Sequence, residues 1–128
     1  MITPNPRPSI LVTYDGEPVA LVNPRHTTLV GQASDHPPNH PLARMATTMA
    51  AYAKLITTNT IPGPYTDPDA EHYARTALID PERLRRHAHE TDDQLAHLFQ
   101  VPIRQISLAR ADTRSPRTAP SRQSSSEP

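Results

Sequence analysis

The 128-residue chain has no cysteine, no tryptophan, three glycines, one phenylalanine and a single lysine among its thirteen basic residues. Without cysteine there can be no disulfide framework, zinc ribbon or thiolate nucleophile. Three glycines leave little room for a phosphate-cradling loop, and no Gly-x-Ser-x-Gly elbow occurs. No apolar run approaches the roughly 18 residues of a membrane span. Residues 1–8 lack the apolar stretch of a secretion signal, so a cytoplasmic protein with no membrane partner is expected. Thirteen basic residues balance thirteen acidic ones, which removes any global field that would draw in nucleic acid. Leu, Ile, Val and Phe make up about 18% of the chain, under the roughly 20% that accompanies disorder, but the high net charge of disordered chains is absent. One small core with disordered ends is the expectation.

What is present falls into order along the chain. Ser9–Tyr14 and Val19–Asn23 are β-rich and flank Asp15-Gly16, a strong two-residue hairpin signal. Pro18 has no N–H to donate and is expected at a strand start or edge. Thr27–Val30 offers a short third strand, and residues 31–41, with three prolines, read as loop. From Pro41 a helix is predicted in which Leu42, Met45, Met49, Tyr52 and Ile56 share one face, with Ala46, Ala50 and Ala53 beside it. Ile61-Pro62-Gly63-Pro64 ends that region.

Asp67-Pro68 reads as a helix start with Asp67 as the capping carboxylate, and Ala70, Tyr73, Ala74, Ala77 and Leu78 as the inner face. Asp80-Pro81 repeats the signal for a short helix running to about Glu90. Thr91-Asp92-Asp93-Gln94 fits a capping box before a helix carrying Leu95, Leu98 and Phe99. Ile103, Ile106 and Leu108 define the last helix. The expected class is α+β: an N-terminal hairpin or small sheet, then four to five helices. The domain is placed at 9–110, between a disordered N-terminus (1–8) and a disordered Arg/Ser/Pro-rich tail (111–128).

Seven histidines are the first candidates for chemistry. His36 and His40 have the i, i+4 spacing of a helical metal pair, but Pro37-Pro38 between them is not helix interior, which favours solvated loop histidines. His87 and His89 point to different sides of a helix among Arg83, Arg85 and Arg86, as on a solvated face. Asp92 and Asp93 sit at a helix start, where capping explains them better than acid–base work. No nucleophile constellation appears.

Residues 93–110 have helix-turn-helix spacing. Ala96 is small where two helices would cross, and Leu95, Phe99, Val101 and Ile106 would fill the space between them. Gln100 stands at the turn position where glycine is usual. The second helix would offer Arg104, Gln105, Ser107 and Arg110 to solvent, residue types that contact phosphates and base edges. A packed helical pair with no DNA role remains the alternative. Five arginines between 104 and 122 face only Asp112, which would add nonspecific phosphate affinity or simply solubility.

Glu71-His72-Tyr73-Ala74-Arg75-Thr76-Ala77-Leu78-Ile79 and Leu95-Ala96-His97-Leu98-Phe99-Gln100-Val101 carry a family likeness. They match a Glu-x-x-Ala-x-x-small-Leu-apolar-Pro helix followed by a Leu-Ala-x-x-Phe-x-Val pair, with Asp80-Pro81 where the proline falls. In this the chain resembles the ImmA/IrrE (IrrE N-terminal-like) metallopeptidases, and the hairpin and the following helix fit the same order. The resemblance covers about 100 residues. It implies a His-Glu-x-x-His helix that holds zinc and activates water. This sequence has no His-Glu-x-x-His. In the corresponding helix Thr48 and Tyr52 stand for the histidines and Met49 for the glutamate. Glu71 matches the third zinc ligand, at the edge of its helix's inner face.

The resemblance therefore implies a catalytically degenerate regulatory domain, with no catalytic residues and no bound cofactor. Its partner would be a protein, plausibly a repressor-type regulator of the kind that intact family members cleave. Two alternatives stay open: a small DNA-binding regulator using 93–110, and a zinc peptidase with atypical ligands drawn from His36, His40, Glu71 and His72.

Overall fold

A computed structural model of the chain describes residues 9–114. Strands come first: β1 (Ile10–Tyr14), β2 (Glu17–Val22) and β3 (Thr27–Leu29) form an antiparallel sheet in the order β1-β2-β3. Asp15 and Gly16 both have positive φ (54° and 81°), and Tyr14 pairs with Glu17. This is the two-residue turn whose twist matches that of the strands.

Pro18 is the second residue of β2, at the strand start as expected and ahead of the Ala20–Val22 segment that pairs with β3. The pairing jumps from Thr13–Pro18 to Val12–Ala20, leaving Val19 without a partner. This bulge accommodates the missing proline N–H and turns two consecutive residues, Val19 and Ala20, into the core. The opposite face keeps Leu11 and Leu21, directly paired, in solvent.

Six helices follow: α1 (Gly31–Asp35), α2 (Pro41–Thr57), α3 (Asp67–Leu78), α4 (Pro81–Arg86), α5 (Asp92–Phe99) and α6 (Ile103–Arg114). The α+β order is as expected. The extra helix, α1, is a single turn inside the segment read as loop. Gly31 permits it: its φ is +58°, and a Cβ there would come within 2.9 Å of the Pro18 carbonyl oxygen. The bulge and α1 thus pack backbone against backbone, as only glycine allows.

α2 starts where Pro41 predicts. His40 is its cap, with Nδ1 accepting the Leu42 N–H at 3.1 Å. Met45, Ala46, Met49, Ala50 and Ala53 are buried against the sheet and α3. In α3 the expectation needs correction: Thr66, not Asp67, is the cap, its hydroxyl accepting the Asp69 N–H at 3.2 Å. The buried stripe is narrower than predicted. Ala70 and Ala74 are buried, but Tyr73 and Ala77 are exposed because two alanines suffice for close packing on the alanine-rich face of α2.

Asp80 caps α4, which ends at Arg86, short of Glu90. The capping box of α5 forms in both directions between Thr91 and Gln94 (2.9 and 3.1 Å). α6 runs four residues into the segment read as tail. The expectations for 1–8 and 115–128 lie outside the described residues.

Two apolar clusters result. The first joins the sheet, α2 and α3. The second, Ile79, Leu84, Leu95, Phe99, Val101, Ile106 and Ala109, joins α4, α5 and α6, and Leu78 packs against both. Ile103, one of the residues that marked α6, is 47% exposed. Among the described residues no helix is long and apolar enough to cross a membrane.

Candidate functional site

Glu71 sits on the face of α3 turned toward α6 and the end of β1. Its carboxylate meets a side chain that the sequence reading placed in solvent. Gln105 is completely buried, and every polar atom of its amide is used. Nε2 donates to Glu71 Oε2 at 2.8 Å and to the Tyr14 hydroxyl at 3.0 Å, while Oε1 accepts from Arg75 Nη1 at 3.0 Å. Arg104 Nε lies 3.3 Å from Glu71 Oε2, and its Nη1 lies 3.2 Å from Asp15. Arg75 also reaches Asp112 at 3.4 Å.

Burial holds the Tyr14 phenol above its ordinary pKa, reinforced by the Glu71 carboxylate and opposed by the Gln105 hydrogen bond. Tyr14 is therefore neutral at physiological pH. The assembly is a saturated polar junction. It ties the hairpin end, α3 and α6 together across the gap between the two apolar clusters. A buried amide is tolerable only with such full satisfaction. A second tie lies nearby, where Arg44 of α2 donates to the carbonyls of Phe99 (2.5 Å) and Gln100 (3.0 Å) at the end of α5.

The three residues of α2 that the resemblance sets in place of the zinc motif are each engaged with other groups. Thr48 donates its hydroxyl to Arg44 O of its own helix at 2.8 Å. Met49 is fully buried in the first cluster. Tyr52 packs on the rings of Tyr65 and Tyr73 at 6.0 and 5.3 Å. A bonded hydroxyl, a core thioether and a stacked phenol do not fit zinc, and Oε2 of Glu71 is already held by Gln105 and Arg104.

The atypical ligand set is not brought together either. The rings of His36 and His40 stack at 3.6 Å, with His40 committed to its cap. His72 is turned toward Arg75, 3.4 Å from its Nη2. Among the described residues no three His, Asp or Glu side chains are grouped so as to hold a metal ion.

The 93–110 pair packs as predicted, with Leu95, Phe99, Val101 and Ile106 buried. Gln100 takes the left-handed conformation (φ 55°) expected of its turn position. The four outward candidates fare differently. Gln105 is buried, which corrects the expectation; its i, i+4 step to buried Ala109 was the signal available. Arg110 is bound to the Ala88 and Glu90 carbonyls and paired with Asp92 at 2.7 Å. Ser107 donates to Asp92 at 3.1 Å. Arg104 is half exposed, with its guanidinium held by Asp15 and Glu71.

A further cluster escaped the sequence reading. Asp67, freed from capping, accepts the Tyr65 hydroxyl at 2.7 Å and the Thr13 N–H at 3.2 Å, and also the Thr13 hydroxyl. Burial, with the Asp67 carboxylate beside it, pushes the Tyr65 phenol well above its ordinary value. Only the Asp-Pro step hinted at a special role for this aspartate. No protein-family model, curated protein or solved structure matches the chain.

Proposed function

We propose that the chain is a catalytically degenerate ImmA/IrrE-like regulatory domain that acts by binding a protein partner of the repressor type. One observation carries this reading: Oε2 of Glu71, the position matching a third zinc ligand, accepts from Gln105 and pairs with Arg104, with Arg75 at 3.8 Å. An oxygen so engaged ties α3 to α6 and, with three N–H groups around it, is a poor candidate for a metal bond. The element order, a small sheet, a long helix and then the Glu71 helix, supports the same scaffold. So does the placement of Thr48, Met49 and Tyr52 without a metal-binding group among them.

The test is to mix the purified chain with a helix-turn-helix repressor and follow both by size-exclusion chromatography and mass spectrometry. A complex that contains intact repressor and persists in chelator is expected. Peptide-bond cleavage that is lost in Glu71→Ala would overturn the reading.

A second reading, DNA binding through α5 and α6, is favoured by the left-handed turn at Gln100 and the apolar cluster the two helices share. Here Arg104 must leave Asp15 and Glu71 to reach phosphate. Salt-dependent DNA binding that weakens in Arg104→Ala and strengthens in Asp15→Ala is its signature. Binding unchanged by both substitutions rules it out.

A further inference from the structure

Aromatic residues are scarce in this chain, four tyrosines and one phenylalanine, yet three of the tyrosines meet at one place. Tyr52 of α2 lies between Tyr65 and Tyr73, with ring planes tilted by 48° and 44°. The Tyr65 ring is fixed by its hydroxyl bond to Asp67, itself anchored on Thr13. Tyr73 is 36% exposed, on the flank of the Ala70/Ala74 stripe, where one side of its ring meets Tyr52. Core packing accounts for Tyr52, Tyr65 and the side of Tyr73 that meets Tyr52, and leaves the outer part of the Tyr73 ring open.

Asp69 stands one turn before Tyr73, so the two share an exposed helix face about 6 Å apart. The Asp69 carboxylate has no hydrogen bond or ion pair among the described residues; only its backbone N–H is used, on the Thr66 cap. The nearest cation on the helix, Arg75, is directed to Gln105 and Asp112, and His72 is turned toward Arg75. The face therefore combines the open part of the Tyr73 ring with a first-turn carboxylate that no cationic side chain pairs among the described residues.

We infer that the Asp69/Tyr73 face, backed by Tyr52 and Tyr65, is a docking site for an arginine side chain of a partner polypeptide. A guanidinium is planar, so it can stack on the Tyr73 ring and at the same time present paired N–H groups to Asp69. A lysine ammonium satisfies only the charge. This deepens the protein-binding reading and rests on it for the partner, but the site itself can be tested without one.

The probe is N-acetyl-arginine methylamide, titrated into the full-length chain and followed by two-dimensional NMR, with the lysine and norleucine analogues as controls. Saturable shifts confined to the Tyr52, Tyr65 and Tyr73 rings and the Asp69 amide are expected. Affinity should fall about fivefold or more in Asp69→Asn and in Tyr73→Leu, which keeps apolar contact with Tyr52 but removes the ring. The absence of saturable shifts, equal affinity for the lysine analogue, or equal affinity for norleucine would each overturn the proposal. Arginine binding without any repressor complex would leave the site standing and refute only the choice of partner. A repressor complex unaffected by Tyr73→Leu would place the partner elsewhere.

Discussion

Replacing Gln105 by leucine keeps most of the side chain's bulk while deleting three hydrogen bonds, to Glu71, Tyr14 and Arg75. The partners do not suffer equally. Glu71 retains Arg104 at 3.3 Å and Arg75 at 3.8 Å, and Arg75 retains Asp112 at 3.4 Å. The uncompensated loss falls chiefly on the buried Tyr14 hydroxyl, because the Glu71 oxygen that loses Gln105 is the one that keeps both arginines. A buried polar group left unpaired costs about 1–3 kcal/mol, the weakened hold on Glu71 and Arg75 adds to it, and burying an apolar leucine with no amide to desolvate offsets part, so a net loss of about 2 kcal/mol is expected. For a domain of this size that lowers the melting temperature by roughly 10 °C. Thermal unfolding followed by far-UV circular dichroism is the suitable assay, since the chain has no tryptophan. Gln105→Ala, which adds a cavity, should lose more than Gln105→Leu. A loss under about 1 kcal/mol in both variants would mean that the junction is a dispensable surface contact, of the kind usual for exposed polar pairs.

Other expectations follow from the same geometry. Gly31→Ala should cost about 1–3 kcal/mol in urea unfolding, because its φ of +58° and the Pro18 carbonyl at 2.9 Å both reject a Cβ. Gln100→Gly should stabilise by about 0.5–1 kcal/mol by relieving a left-handed residue at φ 55°; an unchanged urea midpoint would refute this. Tyr65 has its pKa raised in the folded state, so the fold favours the protonated phenol. That contribution is complete below the ordinary tyrosine value of about 10 and is lost as pH rises above it. Urea midpoints measured from pH 8 to pH 11 should fall, and Tyr65→Phe should flatten the fall.

Local signals were read well where one short segment decides the outcome. Asp15-Gly16 specified the turn, Thr91–Gln94 the capping box, and the spacing from Leu42 to Ile56 the long helix. Readings failed where a distant residue decides. The turn of helix at Gly31 was read as loop because what it packs on is distant, the Pro18 carbonyl beside the β2 bulge. Asp67 surrenders the cap to Thr66 because Thr13 and Tyr65 supply it with three donors. Gln105 looked like a surface residue between Arg104 and Ile106, and only the convergence of Glu71, Tyr14 and Arg75 makes its burial affordable. The candidate site was legible as a position, Glu71, but not as chemistry, since the sequence alone does not disclose which neighbour takes its carboxylate.

The central claim is that Glu71 holds the fold together and does not hold a metal. It is tested most directly by calorimetric titration of zinc into the metal-free full-length chain, alongside Glu71→Gln. The account predicts no saturable one-to-one uptake in either protein. A stoichiometric zinc isotherm in the parent chain that disappears in Glu71→Gln would contradict it.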